Sequence, residues 1–117
     1  MLKISILIFT IFAITLLVQP IEAVINEPFN EYPIPRNSTN PFAIITDNDG
    51  NVWFSQRNNP SITRFDPESS TFKSYPVPTK QESLEIWGMT IGPRGFIWFS
   101  DATENKIRHL DPETGKF

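Results

Sequence analysis

The stretch Asn51-Val52-Trp53-Phe54-Ser55 decides the fold, because it returns as Phe96-Ile97-Trp98-Phe99-Ser100, with Trp53 and Trp98 45 residues apart. Successive side chains of a strand point to opposite faces. Two adjacent aromatics in each copy therefore predict a strand that is packed on both sides, as between two neighbouring sheets.

Outward from this stretch the two copies continue to match. Before it stand Asp47-Asn48-Asp49-Gly50 and Gly92-Pro93-Arg94-Gly95, both read as tight turns in which a glycine takes positive φ. Asp47, Asp49 and Asn51 also have the flavour of a calcium loop, but the spacing is not that of an EF-hand and no glutamate closes it. The turn reading is preferred. Ahead of the turns, Phe42-Ala43-Ile44-Ile45-Thr46 pairs with Trp87-Gly88-Met89-Thr90-Ile91, each a short apolar run with a small second residue, which suits a buried strand where backbones crowd together. After the opening stretch, residues 60–66 match 105–111, with Ile62 and Ile107 apolar and Phe65 and Leu110 apolar. Asp66-Pro67 and Asp111-Pro112 then start turns, and Gly115 supplies a left-handed residue. Finally, Phe29-Asn30-Glu31-Tyr32-Pro33-Ile34-Pro35 recurs as Phe72-Lys73-Ser74-Tyr75-Pro76-Val77-Pro78. Its period-two pattern is that of a strand, and its prolines, which cannot donate to a ladder, assign it to a sheet edge.

Four short strands per unit, a period of 43 to 45 residues and prolines in every unit describe a blade of a β-propeller, where ~40–45 residues build a four-stranded sheet. The expectation is an all-β partial propeller: repeats at 29–71 and 72–116, and Phe117 as the first residue of a third. The leading strand at 29–35 is expected to be an outer strand that closes the ring, and to be poorly held without its partners. Closed propellers carry ~4–8 blades, so two blades leave apolar faces open, with Trp53, Phe54, Trp98 and Phe99 among the residues expected to be exposed. The chain therefore reads as the amino-terminal part of a longer propeller whose remaining blades lie in the same chain; a ring of several short chains is the competing idea.

Residues 1–23 read as a secretory signal peptide: Lys3 near the start, an apolar run from Ile4 to Val18, Gln19-Pro20 to break it, and Ala23 as a small residue for cleavage. The run is short for a membrane span, which needs ~20 apolar residues. The expected location is outside the cytoplasm, secreted or at the cell surface, with membrane contact only through the leader; a retained anchor is the alternative. Losing the leader removes one Lys and one Glu, so the net charge stays at −3. Interspersed charges with no basic stripe argue against a nucleic-acid surface, and the absence of cysteine excludes thiol chemistry and cysteine-ligated zinc. Asn37-Ser38-Thr39 is a glycosylation sequon, taken as a sign of exposure.

Glu31-Tyr32-Pro33-Ile34-Pro35, Asp49-Gly50-Asn51-Val52-Trp53-Phe54-Ser55 and the run from Asn105 to Gly115 together resemble one repeat of the virginiamycin B lyase (streptogramin lyase) propellers. The resemblance covers essentially all of residues 29–117. It implies a seven-bladed propeller and, for catalytic members, opening of a lactone ring by elimination with magnesium and with histidines and glutamates near the axis. A base removes a proton beside the ester carbonyl while the metal stabilises the developing charge. The residues that would do this are expected in other blades. Here the single histidine, His109, reads as a structural or solvated strand residue, since a lone histidine makes no site. After the Trp-Phe-Ser boxes, where the family often has glutamate, stand Gln56 and Asp101, and Asp101 reads first as a turn residue. No catalytic, cofactor-binding or metal-ligating residue is assigned, and magnesium is expected only for a full-length lyase. Two readings follow: an exported propeller module that binds a ligand or partner, which is preferred, and the amino-terminal part of a streptogramin lyase-like enzyme.

Overall fold

A computed structural model of the chain describes residues 29–35 and 39–117. The leader, and Asn37 and Ser38 of the sequon, lie outside the described residues. The chain divides into two compact units, Met1–Glu31 and Tyr32–Phe117. Of the first, only residues 29–31 are described, and they form no regular element.

The second unit holds two antiparallel sheets. The first runs β1 (Pro41–Thr46), β2 (Val52–Gln56), β3 (Ser61–Asp66) and β4 (Thr71–Pro76), in spatial order 1-2-3-4. The second runs β5 (Met89–Ile91), β6 (Ile97–Asp101) and β7 (Lys106–Leu110), in order 5-6-7. The sheets approach most closely through β1 and β5, so the two lie as blades sharing an inner edge. Left-handed residues fall where the turns need them: Gly50 (φ 83°), Gly95 (φ 74°) and Gly115 (φ 71°). β4 is an edge strand, as its prolines require, and it belongs with β1–β3 rather than with the sheet that follows it in sequence.

Several expectations need correction. The second sheet has three strands among the described residues, not four. The first sheet takes its outer strand, β4, from the start of the following sequence repeat. Phe117, the repeat equivalent of Phe72, packs edge-on against Phe99 with ring centroids 6.1 Å apart. Residues 29–35 are not a strand. Pro33 and Pro35 remove two ladder donors, and Tyr32 instead lays its ring on Phe65, centroids 4.6 Å apart. The strand expected from Trp87 begins only at Met89.

The expected exposure of the aromatic pairs is also overturned. Trp53, Phe54 and Phe99 are buried and Trp98 is half-buried. Strand register explains why. Trp53 and Ile62 share the face of the first sheet that meets the second, together with Tyr75, whose ring stacks on Trp53. Ile97, Phe99 and Leu110 face them from the second sheet, and Val77, Leu84 and Ile86 of the connector close the cluster. Phe54 lies on the opposite face of the first sheet, edge-on to Phe72, and Phe72 packs against Phe65. Burial of these side chains is the main stabilising term available to a chain without disulfides.

The two tryptophans are held by different means. The indole of Trp53 donates Nε1–H to Asp47 Oδ2 at 2.8 Å. In the second copy Gly92 replaces that aspartate, and the Trp98 indole lies against its backbone. A Cβ at Gly92 would fall 2.4 Å from Trp98 Nε1, closer than packing permits, so glycine there gives the ring its seat.

Candidate functional site

The turn Asp47-Asn48-Asp49-Gly50 uses its first carboxylate entirely within the protein. Asp47 Oδ1 accepts from the backbone N–H of Asp49 and Asn51, while Asn51 Nδ2 and Trp53 Nε1 donate to Oδ2. Burial works to raise the Asp47 pKa, but the Trp53 and Asn51 donors outweigh it and hold the carboxyl below its ordinary value. This group stabilises a turn and a tryptophan, and its lone pairs are not directed at a metal.

His109 stands on β7 with its ring stacked on Phe96 (5.1 Å, 11°) and tilted against Trp98 (4.7 Å). Arg94 also lies over the Phe96 ring, 4.9 Å from its centre. The histidine is part of an aromatic stack on the second sheet's outer face.

Asp101 has both a turn role and one that sequence reasoning did not find. Its Oδ1 accepts the backbone N–H of Glu104 at 2.9 Å, as a turn aspartate does. Its Oδ2 lies 3.0 Å from Arg108 NH2, with the Asp101 side chain fully buried and that of Arg108 12% exposed. Arg108 also donates to the Pro78 carbonyl at 2.9 Å and to Glu104 Oε2. Glu104 in turn accepts from Lys106 Nζ at 2.6 Å and from the Thr79 hydroxyl. The signal was available in register: Asp101 and Arg108 lie on one face of the adjacent strands β6 and β7. The equivalent pair in the first sheet is neutral, with Gln56 Nε2 donating to Thr63 Oγ1 at 2.7 Å.

Lys106 first, and then Thr79, hold Glu104 from its ordinary 4.5 down to about 2. A carboxylate whose folded pKa is depressed resists protonation that the unfolded chain accepts. Its stabilisation is therefore complete above 4.5 and is lost as the pH falls toward about 2. Asp66 and Asp111, held low chiefly by Ser69 and Thr114, act in the same direction. The urea midpoint should fall across this acid window, and Glu104→Gln should flatten part of that fall. An unchanged pH profile in the variant would exclude the role.

The remaining cluster lies where β1 and β5 begin. Phe42 and Trp87 occupy equivalent repeat positions and meet edge to face, centroids 5.2 Å apart at 82°. Both are exposed, at 51% and 63%. Between them opens a cleft of about 60 Å³, walled by Arg57, Leu84, Glu85 and Ile86. Arg57 and Glu85 pair at 2.6 Å, both half-exposed.

This end is built by backbone bonds rather than by a regular element. Arg57 N–H reaches the Asn40 carbonyl and Asn58 N–H reaches that of Thr39. Leu84 N–H donates to Arg57 C=O, and Ala102 N–H to Glu85 C=O. Glu85 N–H meets the Thr103 hydroxyl at 2.9 Å. The connector at 77–88 is thus tied to the turns after β2 and β6, and its aromatic is presented on a fixed frame. Sequence reasoning saw Phe42 and Trp87 as the starts of buried strands; their exposure is a property of how the two sheets converge.

Among the described residues no three His, Asp or Glu side chains come together in a way that could hold a metal ion. The magnesium implied by the family resemblance needs several converging oxygens, and the carboxylates described above are engaged by donors and cations of the protein. The described residues do not fit that ion. Among the described residues no helix is long and apolar enough to cross a membrane.

No protein-family model matches the sequence, and no curated protein matches it. Solved structures do. A streptogramin B lyase structure superposes with a TM-score of 0.54 at 22% identity, over 74% of this chain and 32% of that one. A catalytically inactive virginiamycin B lyase from Staphylococcus aureus with quinupristin gives 0.54 at 21% identity, over 74% and 32%. The selenomethionine-substituted virginiamycin B lyase from the same organism gives 0.50 at 21%, over 68% and 30%. The chain therefore spans about a third of the length of the structures it matches. The likeness establishes the fold as part of a β-propeller of this kind.

Proposed function

We propose that this chain is an exported ligand-binding section of a β-propeller, and that the Phe42–Trp87 pair is the surface that meets the ligand. One observation carries the reading. Two large aromatic side chains at equivalent repeat positions are held together in solvent at the converging ends of β1 and β5. Exposed aromatics on a fixed frame offer area at little entropic cost. The Arg57–Glu85 pair beside them supplies a donor and an acceptor to orient what binds. Export rests on the leader pattern at 1–23.

Quinupristin, present in one of the similar structures, is the first probe. Its addition to the full chain should change tryptophan emission saturably. Trp87→Ala should abolish the change, and Phe42→Ala should weaken binding by about tenfold, the scale of one lost aromatic contact. Binding unaltered in both variants would overturn the assignment. Chromatography of quinupristin after incubation tests the lyase alternative, since ring opening yields a distinct product; that reading rests on the fold likeness and needs a base supplied from outside the described residues.

A further inference from the structure

On the reading that the Phe42–Trp87 cleft is the ligand surface, its details narrow the class of ligand it takes. The two rings stand at 82° to each other, and Trp87 leaves most of its surface to solvent. The opening beside them holds about 60 Å³. Pockets that enclose a drug-sized ligand measure ~300–1,000 Å³, so this one admits a single substituent. A ligand therefore lies across the rings instead of sinking between them.

The polar groups beside the rings set the charge of that ligand. Arg57 NH2 donates to Glu85 Oε1 at 2.6 Å, and the pair is half-exposed and neutral as a unit. The backbone groups of both residues are engaged elsewhere: Arg57 N–H with Asn40, Arg57 C=O with Leu84, Glu85 C=O with Ala102, and Glu85 N–H with Thr103 Oγ1. Each therefore presents its side chain. Among the described residues, Glu85 Oε2 and the other Arg57 nitrogens make no hydrogen bond within the protein, so donors and an acceptor stand together next to an aromatic face. A cation would meet Arg57, and an anion would pull Arg57 from its partner. A neutral hydroxyl does neither, since it donates to the carboxylate and accepts from the guanidinium at once. A ring that carries several hydroxyls and an apolar C–H face matches the whole site, because polarised C–H groups settle on the negative face of an aromatic ring. We propose that the cleft binds a neutral carbohydrate chain, with one sugar ring stacked on Trp87, its hydroxyls on Arg57 and Glu85, and Phe42 flanking it. The inference rests on the ligand-surface reading above and names the chemical class that this surface takes.

The test titrates the full chain with cellohexaose, xylohexaose and mannohexaose, each followed by tryptophan emission and by isothermal titration calorimetry. At least one of these sugars should bind saturably. Trp87→Ala should abolish that binding. Arg57→Ala and Glu85→Ala should each weaken it by about tenfold, the scale of one lost hydrogen bond to a charged group. Their urea midpoints should stay close to that of the wild type, since exposed ion pairs add little stability. Sugar binding that survives Trp87→Ala, or that neither polar variant weakens, would overturn the proposal. So would the failure of all these sugars to bind while quinupristin binds through Trp87; that result would leave the ligand surface standing and assign it to a peptide-like ligand. If neither the sugars nor quinupristin bind, the proposal and the ligand-surface reading fall together.

Discussion

Trp53→Ala should destabilise the protein by about 3–5 kcal/mol, the range for removing a large aromatic from a packed core, while Trp98→Ala should cost well under half as much. The two residues are sequence equivalents, so the comparison is internal. Trp53 is 2% exposed, stacked on Tyr75 and bonded to Asp47. Its loss would empty the centre of the cluster between the sheets and release the Asp47 turn. Trp98 is half-buried, has no carboxylate partner because Gly92 stands in place of Asp47, and rests on one side against His109. Small domains have stabilities toward the low end of about 5–15 kcal/mol. Trp53→Ala should therefore abolish the cooperative urea transition followed by circular dichroism, and Trp98→Ala should only shift its midpoint. Equal effects would mean that the inter-sheet cluster does not hold the fold.

The contrast shows which part of the structure the sequence carried. The repeat of the Trp-Phe-Ser stretch, the turn glycines and the proline-marked edge strand were legible because each depends on local rules: alternation, positive φ and missing donors. They led to an all-β propeller section, and the similar solved structures agree. What was not legible depends on how the sheets face each other. Trp53 and Trp98 read alike in sequence, yet one is covered by the second sheet and the other is not. Phe42 and Trp87 read as buried strand starts and are exposed, because strand β5 begins only at Met89 and the sheets converge beyond it. Residues 29–35 read as a copy of β4, but lateral partners make a strand, and the pattern alone does not supply them. His109 was placed on a strand, and its stacking on Phe96 and Trp98 follows only from cross-strand register.

Asp101 and Arg108 give the other large effect. Removing one member of a buried pair leaves the other charge uncompensated, at a cost of about 3–5 kcal/mol. Arg108→Ala should fall in that range, because the Asp101 side chain is fully buried and keeps only the Glu104 N–H as a donor. The variant also loses the bonds from Arg108 to Pro78 and Glu104, which tie the connector to β7. The first sheet shows what can replace the pair. At the equivalent positions Gln56 donates to Thr63, and Thr63 shares a 2.7 Å bond with Ser74, with no charge involved. Transplanting that pair as Asp101→Gln/Arg108→Thr should recover more than half of the stability lost in Arg108→Ala, since neither residue then carries an unpaired charge. Urea midpoints of the three proteins decide the matter. If the double variant is no more stable than Arg108→Ala, the loss comes from the connector bonds to Pro78 and Glu104, and not from a stranded carboxylate.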